Sequence, residues 1–273
     1  MRRPIQVLKR SLLAGLLLAA LVPAMAQTQA SDRAVPERDG TMKLLRIGVP
    51  GSMYADVVNG KPQGAIIELT VMVFEELGYT ARLVVMPVNE ILVGLRNGSL
   101  EAGAGLVLRG RPQDGIAFSG SVIREFSLPI TRKGEQVQIT SLEGLHGKKV
   151  GARVGFTYPG LDDNPQITLV RKRKDAEMLR DLILGSLDMA LIGSVSDVFE
   201  FRSEGVRTEI DLPTYAVSYV DLGSALSAKS LPREVIDKFN TRLSALLKEP
   251  VWQDILSSNG LEDLVRDWPL INK

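Results

Sequence analysis

The chain has 273 residues, with 33 Lys+Arg against 32 Asp+Glu, one histidine and no cysteine. That near balance leaves no positive excess for a phosphate backbone, so broad nucleic-acid binding is excluded. The missing cysteine excludes disulfides, thiolate metal sites, cysteine nucleophiles and a lipidated amino-terminal cysteine, while 45% hydrophobic residues suffice for one large domain or two small ones.

Residues 1–26 read as a secretory signal peptide. Arg2, Arg3, Lys9 and Arg10 precede an apolar run of 11 residues, Leu12 to Val22, and Ala24-Met25-Ala26 supplies a small-x-small exit. The run is too short for a hydrocarbon core that needs about 20 residues. Its removal leaves 29 Lys+Arg against 32 Asp+Glu, a net of −3. With no cysteine to lipidate, the expected product is an exported chain without a membrane anchor, confined to a Gram-negative periplasm. Residues 27–42 are polar, lack periodicity and are expected to form a loose leader.

From residue 43 the chain alternates between short apolar runs and helical periodicity. Leu45–Val49 predicts a strand, stopped by Pro50-Gly51. Ile66–Leu77 predicts a helix with Leu69, Met72, Val73 and Leu77 on one face, capped by Gly78. A strand over Arg82–Met86 and a helix capped by Asn89 follow, the helix ending at Asn97-Gly98. Glu101–Leu108 predicts a glycine-rich strand suited to close backbone approach. The rhythm recurs with strands at Lys148–Val154, Ile167–Arg171 and Asp188–Ile192, around a helix at Asp175–Leu184. This is the pattern of parallel α/β units.

Gly98-Ser99-Leu100-Glu101 and Gly185-Ser186-Leu187-Asp188 match in type, each closing a helix and opening a strand. A common turn arising twice and a true repeat both account for that. A strand at Leu222–Ala228, a helix opened by Ser230-Leu231-Pro232 and a last helix at Val251–Asn259 complete the chain. The strand would return the chain to its first half. The expected division is therefore a first lobe of residues 43–131 plus 223–273 and a second of 132–222, with a ligand cleft between them.

At this point the residues resemble a known family. LRIGVPG at Leu45–Gly51, NGKPQGAIIEL at Asn59–Leu69, LRNGSLEAG at Leu95–Gly103, IAFSGSVI at Ile116–Ile123, SLEGLHGKKVGARVGFT at Ser141–Thr157 and GSLDMALIGS at Gly185–Ser194 carry the likeness. Their order and spacing are similar to those of the periplasmic solute-binding proteins of family 3, the polar amino-acid type. The resemblance implies an α/β, two-lobed type II periplasmic-binding fold, with two α/β lobes joined by a two-crossing hinge. It implies a solute-binding protein for ABC-type import rather than an enzyme: a monomer without cofactor or metal, served by an ABC permease or a membrane receptor.

In that family an arginine of the first lobe pairs with the solute's carboxylate, a planar match between guanidinium and two oxygens. Here Arg111 stands one residue out of step and Arg109 two further back; the two form either an anion clamp or a solvated turn. Thr157 matches the hydroxyl position, with a helix cap as the alternative. Phe156 beside it and Val107 ahead of the arginines complete the implied lining. Tyr54 is the aromatic of the first loop, either ligand cover or a surface tyrosine.

Ser194 stands where the family's amine-binding acid is expected, so an ammonium group would lack a partner unless Asp197 substitutes. Val88 and Asn89 replace an aromatic before the second helix. The implied solute is therefore a small carboxylate without an amine, or another small anion. Two further functions use the same fold: a sensory or accessory subunit without transport, and a lyase resembling cyclohexadienyl dehydratases, with Glu68 or Glu125 as general acid. No G-x-S-x-G elbow or P-loop occurs, His146 reads as an exposed loop residue, and Arg171-Lys172-Arg173-Lys174 reads as a solvated strand end.

Overall fold

A computed structural model describes residues 43–108, 115–135, 139, 141–195 and 208–271. The signal-peptide and leader segments, Arg109, Arg111 and Asp197 lie outside the described residues.

The first lobe starts with β1 (Lys43–Val49), β2 (Asp56–Val58) and β3 (Lys61–Gln63), then α1 (Ala65–Glu76), β4 (Tyr79–Val85), α2 (Val88–Asn97) and β5 (Ala102–Val107). β1 lies parallel to both β4 and β5. β2 and β3 form a hairpin on Asn59 and Gly60, whose φ angles of 52° and 75° are those of a two-residue primed turn. β6 (Ile116–Phe118) and β7 (Ile123–Arg132) then carry the chain out. The second lobe has β8 (Lys149–Arg153), β9 (Thr168–Lys172), α3 (Asp175–Ile183) and β10 (Met189–Gly193), with β8 parallel to both β9 and β10. β11 (Ile210–Asp211) and β12 (Ser218–Ser227) bring it back to α4 (Arg233–Leu246) and α5 (Pro250–Ser258).

The sheet order is β4-β1-β5-β12-β7-β10-β8-β9. β7 and β12 are the two crossings, and both lobes share them. β7 pairs antiparallel with β12 over Ile123–Ser127 and with β10 over Ser127–Ile130. The hydrogen-bonded ladder therefore runs without a break through the hinge. A buried cluster follows it from Phe74 and Phe239 through Phe126 and Leu128 to Met178 and Leu182.

The matching tetrapeptides adopt matching geometry. Gly98 and Gly185 have φ of 80° and 78°, the left-handed close of a helix that glycine adopts without a Cβ penalty. Leu100 and Leu187 are buried. Each leucine packs over a strand glycine, Gly48 or Gly151, where an added Cβ would fall 3.0 or 2.7 Å from the leucine Cδ1. Each acid accepts a backbone N–H from the neighbouring strand: Glu101 from Arg46 at 2.6 Å and Asp188 from Lys149 at 2.7 Å.

Several expected boundaries move. α2 starts at Val88 with Pro87 before it, and α4 starts after Pro232, so neither Asn89 nor Ser230 is the cap. β12 begins at Ser218, four residues before the expected strand. His146 is partly buried at the end of a 3-10 turn, Leu142–Leu145. The Arg171–Lys174 run is partly engaged: Arg171 pairs with Asp162 and Lys172 with Asp181.

After α5 the tail packs Leu261 and Leu264 into the cluster beneath α1 and α4. It then reaches Ala216, which donates its N–H to the Pro269 carbonyl at 2.8 Å and accepts that of Ile271 at 3.1 Å. Ile271 ends among Val150, Tyr158, Leu191 and Val217 of the second lobe. Among the described residues, no helix is long and apolar enough to cross a membrane.

Candidate functional site

A cleft of about 1080 Å³ lies where β5 and β8 end, between the lobes. Carboxyl ends of parallel strands and inter-domain gaps are where such folds hold ligands. The first lobe contributes Val88 and Leu92 of α2, Gly105 to Leu108, and Phe118. The second contributes Leu142, Gly155, Thr157 and Pro159, while β12 supplies Ser218 to Asp221 and the tail supplies Leu270 and Ile271.

A bulge aims the end of β5. Gly223 faces Leu106 and Ala225 faces Gly103, so Ala104 and Gly105 together stand opposite Ser224. Gly105 takes φ of 70°, and a Cβ there would lie 2.7 Å from the Ala55 Cβ. Only glycine fits both conditions, and the bulge turns Leu106 and Val107 toward the cleft. Beneath it, Ser224 Oγ lies 2.7 Å from Thr70 Oγ1, which itself donates to the Ile66 carbonyl. Ser224 N–H donates to Ser119 Oγ at 2.9 Å. Both Thr70 and Ser224 are fully buried, so this chain of hydroxyls satisfies groups that water cannot reach.

The loop after β8 is held from behind. Arg171 donates through Nη1 to the carbonyls of Arg153 and Phe156, at 2.6 and 2.9 Å, and pairs with Asp162. Tyr158 is buried, and its hydroxyl accepts the Arg153 N–H at 3.0 Å. These ties fix Gly155, Thr157 and Pro159 at the cleft wall.

Asp221 is the one charged side chain in the described lining. It takes Nε of Arg124 at 2.9 Å and Nη2 at 3.3 Å, and accepts the Ser121 hydroxyl at 2.9 Å. The hydrogen bond to Asp221 holds the Arg124 guanidinium above its ordinary pKa, and the cation also sits 4.2 Å over the Tyr219 ring. The acid is thereby committed to a cation of the same chain, the exposed Arg124. Most of the remaining lining is apolar.

The structure brings two of the expected residues, Val107 and Thr157, into this lining. No helix starts at Thr157, so its alternative role as a cap is not realised. Phe156 stands outside the lining, half-exposed, with the Arg153 guanidinium 5.3 Å from its ring centre. Tyr54 is neither a surface residue nor part of the lining. It is buried against α1, and its carbonyl accepts the N–H groups of Ile66 and Ile67 at 3.0 and 3.3 Å. Ser194 is 2% exposed and serves the hinge: its Oγ accepts the Phe126 N–H at 3.0 Å and its own N–H donates to the Phe126 carbonyl at 2.8 Å. Glu68 accepts the Gly64 N–H at 3.1 Å and the Asn259 amide at 3.0 Å, a structural duty at the start of α1.

Leu142, Pro159, Asp221, Leu270 and Ile271 escaped the sequence reading. Val88 had a signal, as the residue standing in place of the family's aromatic, and Gly105 lies in the glycine-rich strand expected to allow close approach. Among the described residues no group of three or more His, Cys, Asp or Glu is placed to hold a metal ion.

Neither the family models nor the curated proteins yield a match to this chain. Solved structures do match it. A histidine kinase sensor domain with similarity to periplasmic binding proteins is 21% identical, with a TM-score of 0.60, covering 81% of this chain and 97% of its own. AbpA of Streptococcus pneumoniae, an amino acid ABC transporter substrate-binding protein bound to L-arginine, is 18% identical, with a TM-score of 0.58 and coverage of 83% and 97%. AncCDT-1, an ancestral amino acid-binding protein described as a precursor of cyclohexadienyl dehydratase, is 18% identical, with a TM-score of 0.59 and coverage of 82% and 95%. These likenesses establish the fold as the two-lobed type II periplasmic-binding fold.

Proposed function

We propose that this chain is a periplasmic solute-binding protein that captures a small carboxylate without an amine and delivers it to an ABC-type permease. The observation that carries the reading is the cleft itself. It is walled by both lobes at the strand ends and is of a size suited to a small solute. The lobes divide as residues 43–131 plus 223–273 and 132–222.

The chemistry of the lining supports an anion with an apolar body. Asp221 is neutralised by Arg124, so the lining opposes no negative charge and offers no spare acid to an ammonium group. Ser194, at the amine-binding position of the resemblance, is turned to the hinge. Arg109 follows directly on Leu108, a lining residue, with Arg111 two residues further on, and one of the two supplies the guanidinium; the Thr157 hydroxyl completes the site. The signal peptide provides export and periplasmic residence.

A sensory role without transport is the second reading, favoured by the likeness to a histidine kinase sensor domain. A lyase is less well supported, because Glu68 caps α1 and neither Glu68 nor Glu125 belongs to the cleft lining.

Isothermal titration of the mature protein with monocarboxylates and with free amino acids tests the proposal. Carboxylates should bind, and either Arg111→Ala or Arg109→Ala should weaken them by about 2–4 kcal/mol, as expected when a buried charge pair loses one partner. Tight binding of zwitterionic amino acids alone would overturn it.

A further inference from the structure

We propose that the carboxy-terminal tail is a wall of the solute site and that Leu270 selects solutes with an apolar body; this rests on reading the cleft as the solute site. The tail is anchored in both lobes. Leu261 and Leu264 are buried with α1, α4 and α5, and Arg266 stacks 4.4 Å over the Trp268 ring. The next residues form a short parallel bridge to Ala216, with backbone hydrogen bonds at Pro269 and Ile271, on either side of Leu270.

This extended segment alternates, as a strand does. Ile271 packs into the second lobe's core, is 9% exposed and only borders the cleft, whereas Leu270 lines the cleft and is 42% exposed. Because both neighbours are pinned, Leu270 cannot turn away without breaking the bridge or unburying Ile271.

Leu270 has counterparts in the first lobe. Val88 at the start of α2 and Val107 at the end of β5 line the same cleft and are 46% and 42% exposed. Three branched aliphatic side chains from separate elements thus stand half in water inside one cavity. A solute with an apolar body removes them from water, whereas propionate leaves most of that surface wet, so affinity should rise with the apolar length of the solute. The tail thereby acts as a specificity element remote in sequence from every segment that carries the family resemblance.

The test is calorimetric titration of the mature protein with propionate, hexanoate and 3-phenylpropionate. The unaltered chain should bind hexanoate and 3-phenylpropionate more tightly than propionate. Leu270→Ala should weaken these two by about tenfold while changing propionate less than about twofold, and Leu270→Met should retain hexanoate within about twofold. Thermal unfolding of both variants checks that the tail stays seated. Equal binding of all three acids by the unaltered chain, or equal losses in Leu270→Ala, would overturn the role of Leu270 and leave the solute-binding reading standing. Failure of the unaltered chain to bind any of the three would remove both.

Discussion

Gly105 shows how one residue can serve fold and site together. Its φ of 70° and the 2.7 Å approach of a would-be Cβ to Ala55 both demand glycine, while the bulge it forms with Ala104 turns β5 toward the cleft. Gly105→Ala should therefore lower stability by about 1–3 kcal/mol, the cost of a strained backbone and a steric clash. Gly120, with open space around its Cβ position, should accept alanine within about 0.5 kcal/mol. Urea unfolding midpoints of the two variants provide the comparison. At the same scale, Tyr54 and Ser194 show why side chains were harder to read than strands. A residue type at a family position says nothing about which way it faces: the Tyr54 side chain packs into the buried cluster while its backbone carbonyl serves α1, and the Ser194 hydroxyl turns inward to accept a backbone N–H of β7.

Among elements, the paired glycine–serine–leucine–acid turns were legible because each demand is local: a left-handed close, a buried leucine, and an acid beside a free strand N–H. β7 was not, although Phe126, Leu128 and Ile130 alternate with Ser127, Pro129 and Thr131, because Pro129 sits within it, a residue that reads as a strand breaker. Its membership in the sheet depends on β10 and β12, which are far away in sequence. The β2–β3 hairpin had a signal in Asn59-Gly60 that went unused. The Glu101 turn also carries a pH dependence. Burial pushes its carboxyl up, but the hydrogen bonds from Arg46 outweigh that and hold it below the ordinary glutamate value of 4.5. A carboxylate lowered in the folded state stabilises above its unfolded pKa, and that contribution is lost as the pH falls through the folded value. Stability should thus decline below pH 4.5 more steeply in the unaltered chain than in Glu101→Gln, measured by thermal melts across an acid series.

For the whole molecule, the halves and the returning carboxy-terminal segment were readable from the repeated α/β rhythm, because that rhythm sets architecture without long-range detail. The cleft's composition was only partly readable, since Leu142, Asp221 and Leu270 converge from three distant stretches. If the cleft closes on a carboxylate, as the proposed function would have it, small-angle X-ray scattering should show a smaller radius of gyration with saturating hexanoate than without. An unchanged radius alongside calorimetric binding would mean that the solute enters a pre-closed site.

The shared ladder through β7 and β12 gives such a motion a particular mechanical character. Hydrogen-bonded strands resist shear but accept added twist, so the halves would move by winding two ribbons and not by swinging on a slack linker. A wound ribbon recoils. On the proposed function, the resting aperture then belongs to the two strands themselves, and substitutions along them, well away from the cleft, would alter how quickly a captured carboxylate escapes.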